Sequence, residues 1–187
     1  MMITRRLMIV IIAALLVGCN AQTKAANLNR QGNDAFTNGD HSSAVEHYQN
    51  AQLETSELPE PFYNAGNAYY RQDDYENAML QAYQSLRNAD EDLAQNTFYN
   101  MGNIQFQLGN NQRLAQAHEE AIKLYQEAIE SYKEALRINP DDKDAKHNLE
   151  LALQLLEEQQ QQQQQDQQQQ QDQQQQDQQQ QQDQQQQ

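Results

Sequence analysis

The sequence predicts an all-α fold, a helix-turn-helix solenoid of about three repeats that ends in a C-terminal capping helix and a disordered glutamine-rich tail. Three observations predict it. GNDAFTNGDHSSAVEHYQNA, from Gly32, aligns without gaps on GNAYYRQDDYENAMLQAYQS, from Gly66, a period of 34 residues that is the length of a two-helix repeat. No segment alternates apolar and polar residues as a strand would, while alanine recurs at helical spacing almost throughout. The last 29 residues, Gln159 to Gln187, are only Gln and Asp; they cannot bury enough apolar surface to order themselves, which leaves about 130 residues for a single domain.

Taken in order, residues 1–18 have the layout of a secretory signal peptide, with Arg5 and Arg6 ahead of the apolar run Leu7 to Val17. Eleven apolar residues fall short of the roughly 20 that a membrane helix needs. The run closes on Leu16-Val17-Gly18-Cys19, which resembles the lipobox of bacterial lipoproteins. That resemblance implies cleavage before Cys19, acylation of Cys19, and a protein anchored to a bacterial cell membrane or outer membrane with its domain on the extracytoplasmic side. Residues 19–24 would be the lipid-anchored linker. Loss of the two signal arginines takes the formal charge from −15 to −17. A body this acidic lacks the clustered cations that neutralise phosphates, so nucleic acid is excluded as a partner. Cys19 is the only cysteine, and stability must come from packing rather than from disulfides.

The repeats are expected at about 25–58, 59–94 and 95–142, within a domain spanning 25–158. Gly32, Gly66 and Gly102 are placed to let the paired helix approach closely, with Ala44 and Ala78 as counterparts on that second helix. Gly39, Asp73 and Gly109 fall at the turns. Tyr48 and Ala51, with Phe62 and Phe98 opening the next two first helices, supply bulk. Pro140 closes the last repeat. The third repeat carries about 14 surplus residues, a near-copy in which Ala121, Ala128 and Ala135 lie seven apart. Fourteen residues make close to four helical turns, so the expectation is one long helix from about Asn111 to Ile138; the alternative is an extra short helix broken near Ala117. The cap helix at 143–158 starts behind Asp141 or Asp142, either of which suits an N-cap. Its leucines, among them Leu149, Leu151, Leu153, Leu155 and Leu156, spread around the helix. Either this cap is buried unusually deeply against the third repeat, or another chain, including a second copy, covers part of it. In the tail, Asp166, Asp172, Asp177 and Asp183 recur every five or six residues. That spacing opposes amide stacking and returns to no single helical face, and helix can spread into the tract from Leu156.

The first helices of such a solenoid line a concave surface. In phase with the glycines, Asn33, Asn64, Asn67, Asn100 and Asn103 face it, continued by Asn148, with Tyr70, Arg71, Phe36 and Phe106 alongside. An asparagine amide pairs with both the N–H and the C=O of an extended backbone, so this row is the candidate partner-binding groove. Asn64 and Asn100 serve equally well as ties within the repeat; Asn67 and Asn103 are assigned to the groove. No catalytic constellation is present. His41, His47, His118 and His147 lack helical metal-pair spacing, and the acidic runs Asp73-Asp74 and Asp90-Glu91-Asp92 lack the other ligands of a calcium loop. No metal, cofactor or enzymatic activity is expected.

YNAGN at Tyr63 to Asn67, YNMGN at Tyr99 to Asn103 and ALRINPDD at Ala135 to Asp142 resemble tetratricopeptide repeats from Ala25 to about Leu156. Members that grip a terminal carboxylate use lysine or arginine where this chain has Asn29, Asn96 and Asn100, which argues against such a ligand. The order of parts, an exported N-terminus, Y-N-x-G-N repeats, then the stretch Ala135 to Ala152 and glutamine-rich sequence, is similar to the tetratricopeptide proteins of bacterial Bat (aerotolerance) operons; His147 stands where those proteins commonly have tyrosine. The resemblance implies a scaffold in a cell-envelope complex, with a von Willebrand factor A membrane protein as partner. The alternative is a lipoprotein assisting assembly of outer-membrane proteins or pilus secretins.

Overall fold

The computed structural model describes residues 2–185, and side chains over 20–176. Its helices are α1 (Met2–Thr37), α2 (His41–Glu54), α3 (Glu60–Tyr70), α4 (Tyr75–Ser85), α5 (Glu91–Leu114), α6 (His118–Ile138) and α7 (Lys143–Gln185). The pairs α1/α2, α3/α4 and α5/α6 form hairpins that stack through α2 on α3, α4 on α5 and α6 on α7. The first helices α1, α3, α5 and then α7 also touch in succession and line the inner face. Residues 20–24, set out above as a linker, are helical and continue α1; Lys24 Nζ meets Glu54 Oε1 of α2 at 2.6 Å. Cys19 lies outside the residues whose side chains are described. Among the described residues, no helix is long and apolar enough to cross a membrane.

Local chemistry explains where the helices start. Asp40, Asp74, Asp90 and Asp142 accept the backbone N–H of Ser43, Asn77, Leu93 and Ala145 at 3.0, 3.2, 2.9 and 2.9 Å, the N-cap bond that satisfies an orphan donor of the first turn. The Ser43 N–H and hydroxyl hold the Asp40 carboxyl below its ordinary value. Each hairpin turn is built the same way. Gly39, Asp73 and Gln116 have φ of 81, 58 and 60°. In each, the next residue's N–H reaches back five residues, Asp40 to Ala35 O, Asp74 to Tyr69 O and Ala117 to Gln112 O, at 3.0, 3.0 and 2.9 Å. This is the Schellman closure of a helix end.

That geometry corrects the reading of the third repeat. Gly109 is not a turn residue; it lies buried inside α5, and the turn falls at Gln116. The helix expected over about Asn111 to Ile138 is interrupted by Ala115–Ala117, and no extra short helix forms. Instead both partners lengthen, α5 to 24 residues and α6 to 21, against 11 each for α3 and α4. A heptad added to each arm of an antiparallel hairpin adds about two turns to both and keeps the apolar stripes facing each other.

The glycine contacts are also redistributed. A Cβ on Gly66 would meet Ala78 O at 3.3 Å, the close helix crossing that was expected. A Cβ on Gly32 would run into the Tyr48 ring, and Cβ atoms on Gly102 and Gly109 would come within 2.5 Å of Tyr132 and 2.8 Å of Tyr125. These three glycines therefore make room for a tyrosine ring, not for an alanine. Tyr48, Tyr125 and Tyr132 are at most 2% exposed and are the largest fully buried side chains. Phe62 and Phe98 are only half-buried.

At the cap, Ala145, Ala152 and Gln159 are buried at a spacing of seven, while Leu151 and Leu153 are exposed and Leu149, Leu155 and Leu156 are half-buried. Helix spreads from Leu156 into the glutamine tract farther than the sequence suggests, through Gln185. Glutamine is a good helix former, and a tract that grows from an existing helix is spared the nucleation cost. His118 holds its start, with Nδ1 2.8 Å from Gln159 Oε1 and Nε2 3.4 Å from Asp166 Oδ2. Side chains from 167 to 176 are exposed and add nothing to the core.

Candidate partner-binding groove

Asparagines of successive first helices are tied to one another. Asn64 Nδ2 donates to Asn29 Oδ1 at 3.0 Å, Asn100 Nδ2 to Asn67 Oδ1 at 2.7 Å, and Asn148 Nδ2 to Asn103 Oδ1 at 2.9 Å. Each bond crosses from one repeat to the next. Asn64 and Asn100 thus tie neighbouring repeats together, a role different from the tie within the repeat that the sequence set beside the groove. Asn67 and Asn103 serve the same ladder through their carbonyl oxygens. Their Nδ2 donors bond to nothing among the described residues, and both side chains are half-buried on the inner face.

Asn67, Tyr70, Asn100 and Asn103 line one cavity of this face together with Tyr63 and the buried Gly66, Ala78, Ala82, Thr97 and Ile104. Tyr70, Asn103 and Phe106 line the next, of about 260 Å³, with Tyr99, Tyr132 and Asn148. Asn33 and Arg71 border neither. Asn33 is exposed beside the first turn, accepting the Tyr48 hydroxyl at 2.8 Å, and Arg71 is exposed at the C-terminus of α3. Phe36 packs with Val45 against the cluster that includes the buried Ala44 and Tyr48, and its ring meets the His41 ring at 5.0 Å in a tilted arrangement, so it belongs to the core of the first hairpin. Phe106 does both jobs, meeting the Tyr125 ring at 5.7 Å while lining the groove.

The tyrosines beneath the row carry a pH dependence. Burial pushes the Tyr48 hydroxyl up from 10.0 to about 12, and raises Tyr125 and, most of all, Tyr132. The unfolded chain then loses these protons before the folded one does. A folded-state pKa that is raised contributes stability that is intact below pH 10 and lost as pH climbs through the folded values. Melting temperature should hold up to about pH 10 and fall steeply above it. The tyrosinate absorbance of Tyr48, Tyr125 and Tyr132 should rise late and together with unfolding; ionisation of these three ahead of unfolding would contradict this.

Among the described residues, no group of three or more His, Cys, Asp or Glu could hold a metal ion. What the site offers is hydrogen bonding and apolar contact on a rigid concave face.

Comparison with known proteins matches that geometry. The chain superposes on the first TPR domain of Spaghetti (RPAP3) bound to the HSP90 peptide SRMEEVD with a TM-score of 0.61 and 20% identity, covering 72% of this chain and 94% of that one. The second TPR domain of human RPAP3, in complex with the HSP70 peptide SGPTIEEVD, gives 0.58 and 18% identity over 72% and 97%. The Arabidopsis OM64 TPR domain gives 0.58 and 16% over 71% and 96%. At these identities the likeness shows the fold alone. No curated protein matches in sequence. Two tetratricopeptide repeat models match, one over residues 29–94 and one over 111–142, together just over half of the chain. With the stacked hairpins and their repeated turns, these matches make the chain a member of the tetratricopeptide-repeat family.

Proposed function

We propose that this chain is a membrane-held adaptor whose concave face takes an extended segment of a partner protein. The observation that carries the reading is the pair of unused amide donors on Asn67 and Asn103, set about one repeat apart along a rigid ladder of asparagines. Such donors bond the backbone C=O groups of an extended segment without demanding a particular sequence. The two neighbours above hold acidic peptides; here Asn29, Asn96 and Asn100 replace the cations that a terminal carboxylate would want, so an internal segment is the proposed ligand. Lipid on Cys19 would hold the domain on the extracytoplasmic side of a bacterial membrane. The resemblance of Ala135 to Ala152 and the glutamine tail to Bat operon proteins points to an envelope complex with a von Willebrand factor A membrane protein.

Affinity capture from detergent-solubilised membranes tests this. The wild-type chain should retain a von Willebrand factor A protein, and Asn67→Ala with Asn103→Ala should retain about tenfold less, since two to four neutral hydrogen bonds are lost at about 0.5 to 1.5 kcal/mol each. Because both oxygens also accept ladder bonds, the double variant should melt a few degrees lower, and capture is compared well below its transition. Equal capture by the folded double variant would remove the concave face as the binding site.

A further inference from the structure

The lining of the groove is built twice. On α3, Tyr63, Asn67 and Tyr70 follow one another at intervals of four and three residues, and on α5 Tyr99, Asn103 and Phe106 do the same. Such spacing puts each trio on one face of its helix. All six side chains are half-buried, and all six line the inner-face cavities described above. Each trio is a ring, an amide and a ring, with the amide's Nδ2 unbonded among the described residues. The Oδ1 atoms are engaged, that of Asn67 by Asn100 and that of Asn103 by Tyr132 and Asn148.

A ligand that meets both trios alike must repeat at the distance between them. The helices α3 and α5 touch, and packed helices lie about 8 to 10 Å apart. One turn of polyproline II, three residues long, advances about 9 Å and returns to the same face. A β-strand returns to one face about every 6.6 Å, and an α-helix has spent its carbonyls on its own backbone. Polyproline II leaves every C=O free, so carbonyls three residues apart can accept from Asn67 Nδ2 and Asn103 Nδ2 in turn.

The amides demand no particular side chain; the rings do. Between the trios, Tyr70, Tyr99 and Phe106 wall the cavity of about 260 Å³, whose described lining holds no charged residue. A compact, uncharged ring suits these walls. Proline supplies one, carries no N–H to leave unpaired beside two amides whose oxygens are engaged, and fixes φ near its polyproline value, so that little ordering entropy is lost on binding.

We propose that the groove takes a proline-bearing polyproline II segment of the partner protein, with its carbonyls on Asn67 and Asn103 and a proline ring between Tyr70, Tyr99 and Phe106. This rests on the groove reading above and names the conformation of the bound segment and the residue that anchors it.

The probe is hexaproline, capped at both ends so that it carries no charge, titrated into the full chain and followed by NMR; a capped glycine-serine hexapeptide is the control. Saturable shifts at the side-chain amides of Asn67 and Asn103 and at the rings of Tyr70, Tyr99 and Phe106 are expected with hexaproline and not with the control. Tyr70→Ala should weaken binding by about tenfold, the scale of a lost aromatic anchor, and excess hexaproline should displace the captured membrane partner. Absence of shifts in the wild-type chain, or equal shifts with the glycine-serine peptide, overturns the proposal without any variant. So does unchanged binding to a folded Tyr70→Ala chain, and so does hexaproline that binds yet leaves capture intact. If Asn67→Ala with Asn103→Ala reduces capture while hexaproline does not bind, polyproline is refuted and the groove stands; if neither the double variant nor hexaproline affects capture, both fall.

Discussion

Tyr132→Ala is expected to lower the stability of the repeat domain by about 3 to 5 kcal/mol, the cost of emptying a fully buried aromatic site. The ring is 0% exposed, packs against Tyr99 with centroids 6.1 Å apart, and fills the space that Gly102 leaves open. It also belongs to the cluster that ties α6 to the cap through Ala128, Ile129 and Ala152. The loss therefore reaches two interfaces, between α5 and α6 and between α6 and α7. Since domains of this size are stable by only about 5 to 15 kcal/mol, the variant should melt far earlier or unfold its C-terminal half first. Tyr132→Phe separates the contributions: it keeps the ring and removes only the bond to Asn103, which still accepts from Asn148, so about 0.5 to 1.5 kcal/mol is expected. Urea melts of both variants check this. A Tyr132→Ala chain as stable as the Phe variant would mean that the third hairpin is not held by its tyrosines.

The other large effect concerns location. With Cys19→Ala, the proposed anchor is lost, and the chain should either accumulate as uncleaved precursor or leave the membrane. Each acyl CH₂ buried in a bilayer contributes about 0.8 kcal/mol, so two or three chains hold a protein firmly where none would hold it at all. A body with a formal charge of −15 before cleavage has no attraction of its own for anionic lipid. Melting of the repeat domain should stay the same, because Ala25 is the first fully buried side chain of those described. Fractionation after a salt wash and mass spectrometry of the mature N-terminus read the result. An unmodified Cys19 in mature, membrane-bound protein would refute the anchor.

The sequence by itself determined the helical class, the 34-residue period, the turns at Gly39 and Asp73 and the row of asparagines, and it narrowed the last cap to Asp141 or Asp142, of which the structure uses Asp142. All of these follow from local signals: spacing along one helix, a residue that tolerates positive φ, a side chain that bonds its own backbone three residues on. Where the third hairpin turns was a tertiary decision. Inserting two heptads preserves helical phase wherever they are placed, so periodicity alone cannot say whether one arm lengthens or both. The turn sits at Gln116, which lacks the glycine that marks Gly39. A signal was available nonetheless, because Gly102-Asn103 and Gly109-Asn110 repeat at seven, as do Tyr125 and Tyr132, and only a hairpin folded at Gln116 pairs both sets. The asparagines read from the sequence as a groove proved also to be a ladder, since which amide meets which depends on how neighbouring repeats stack.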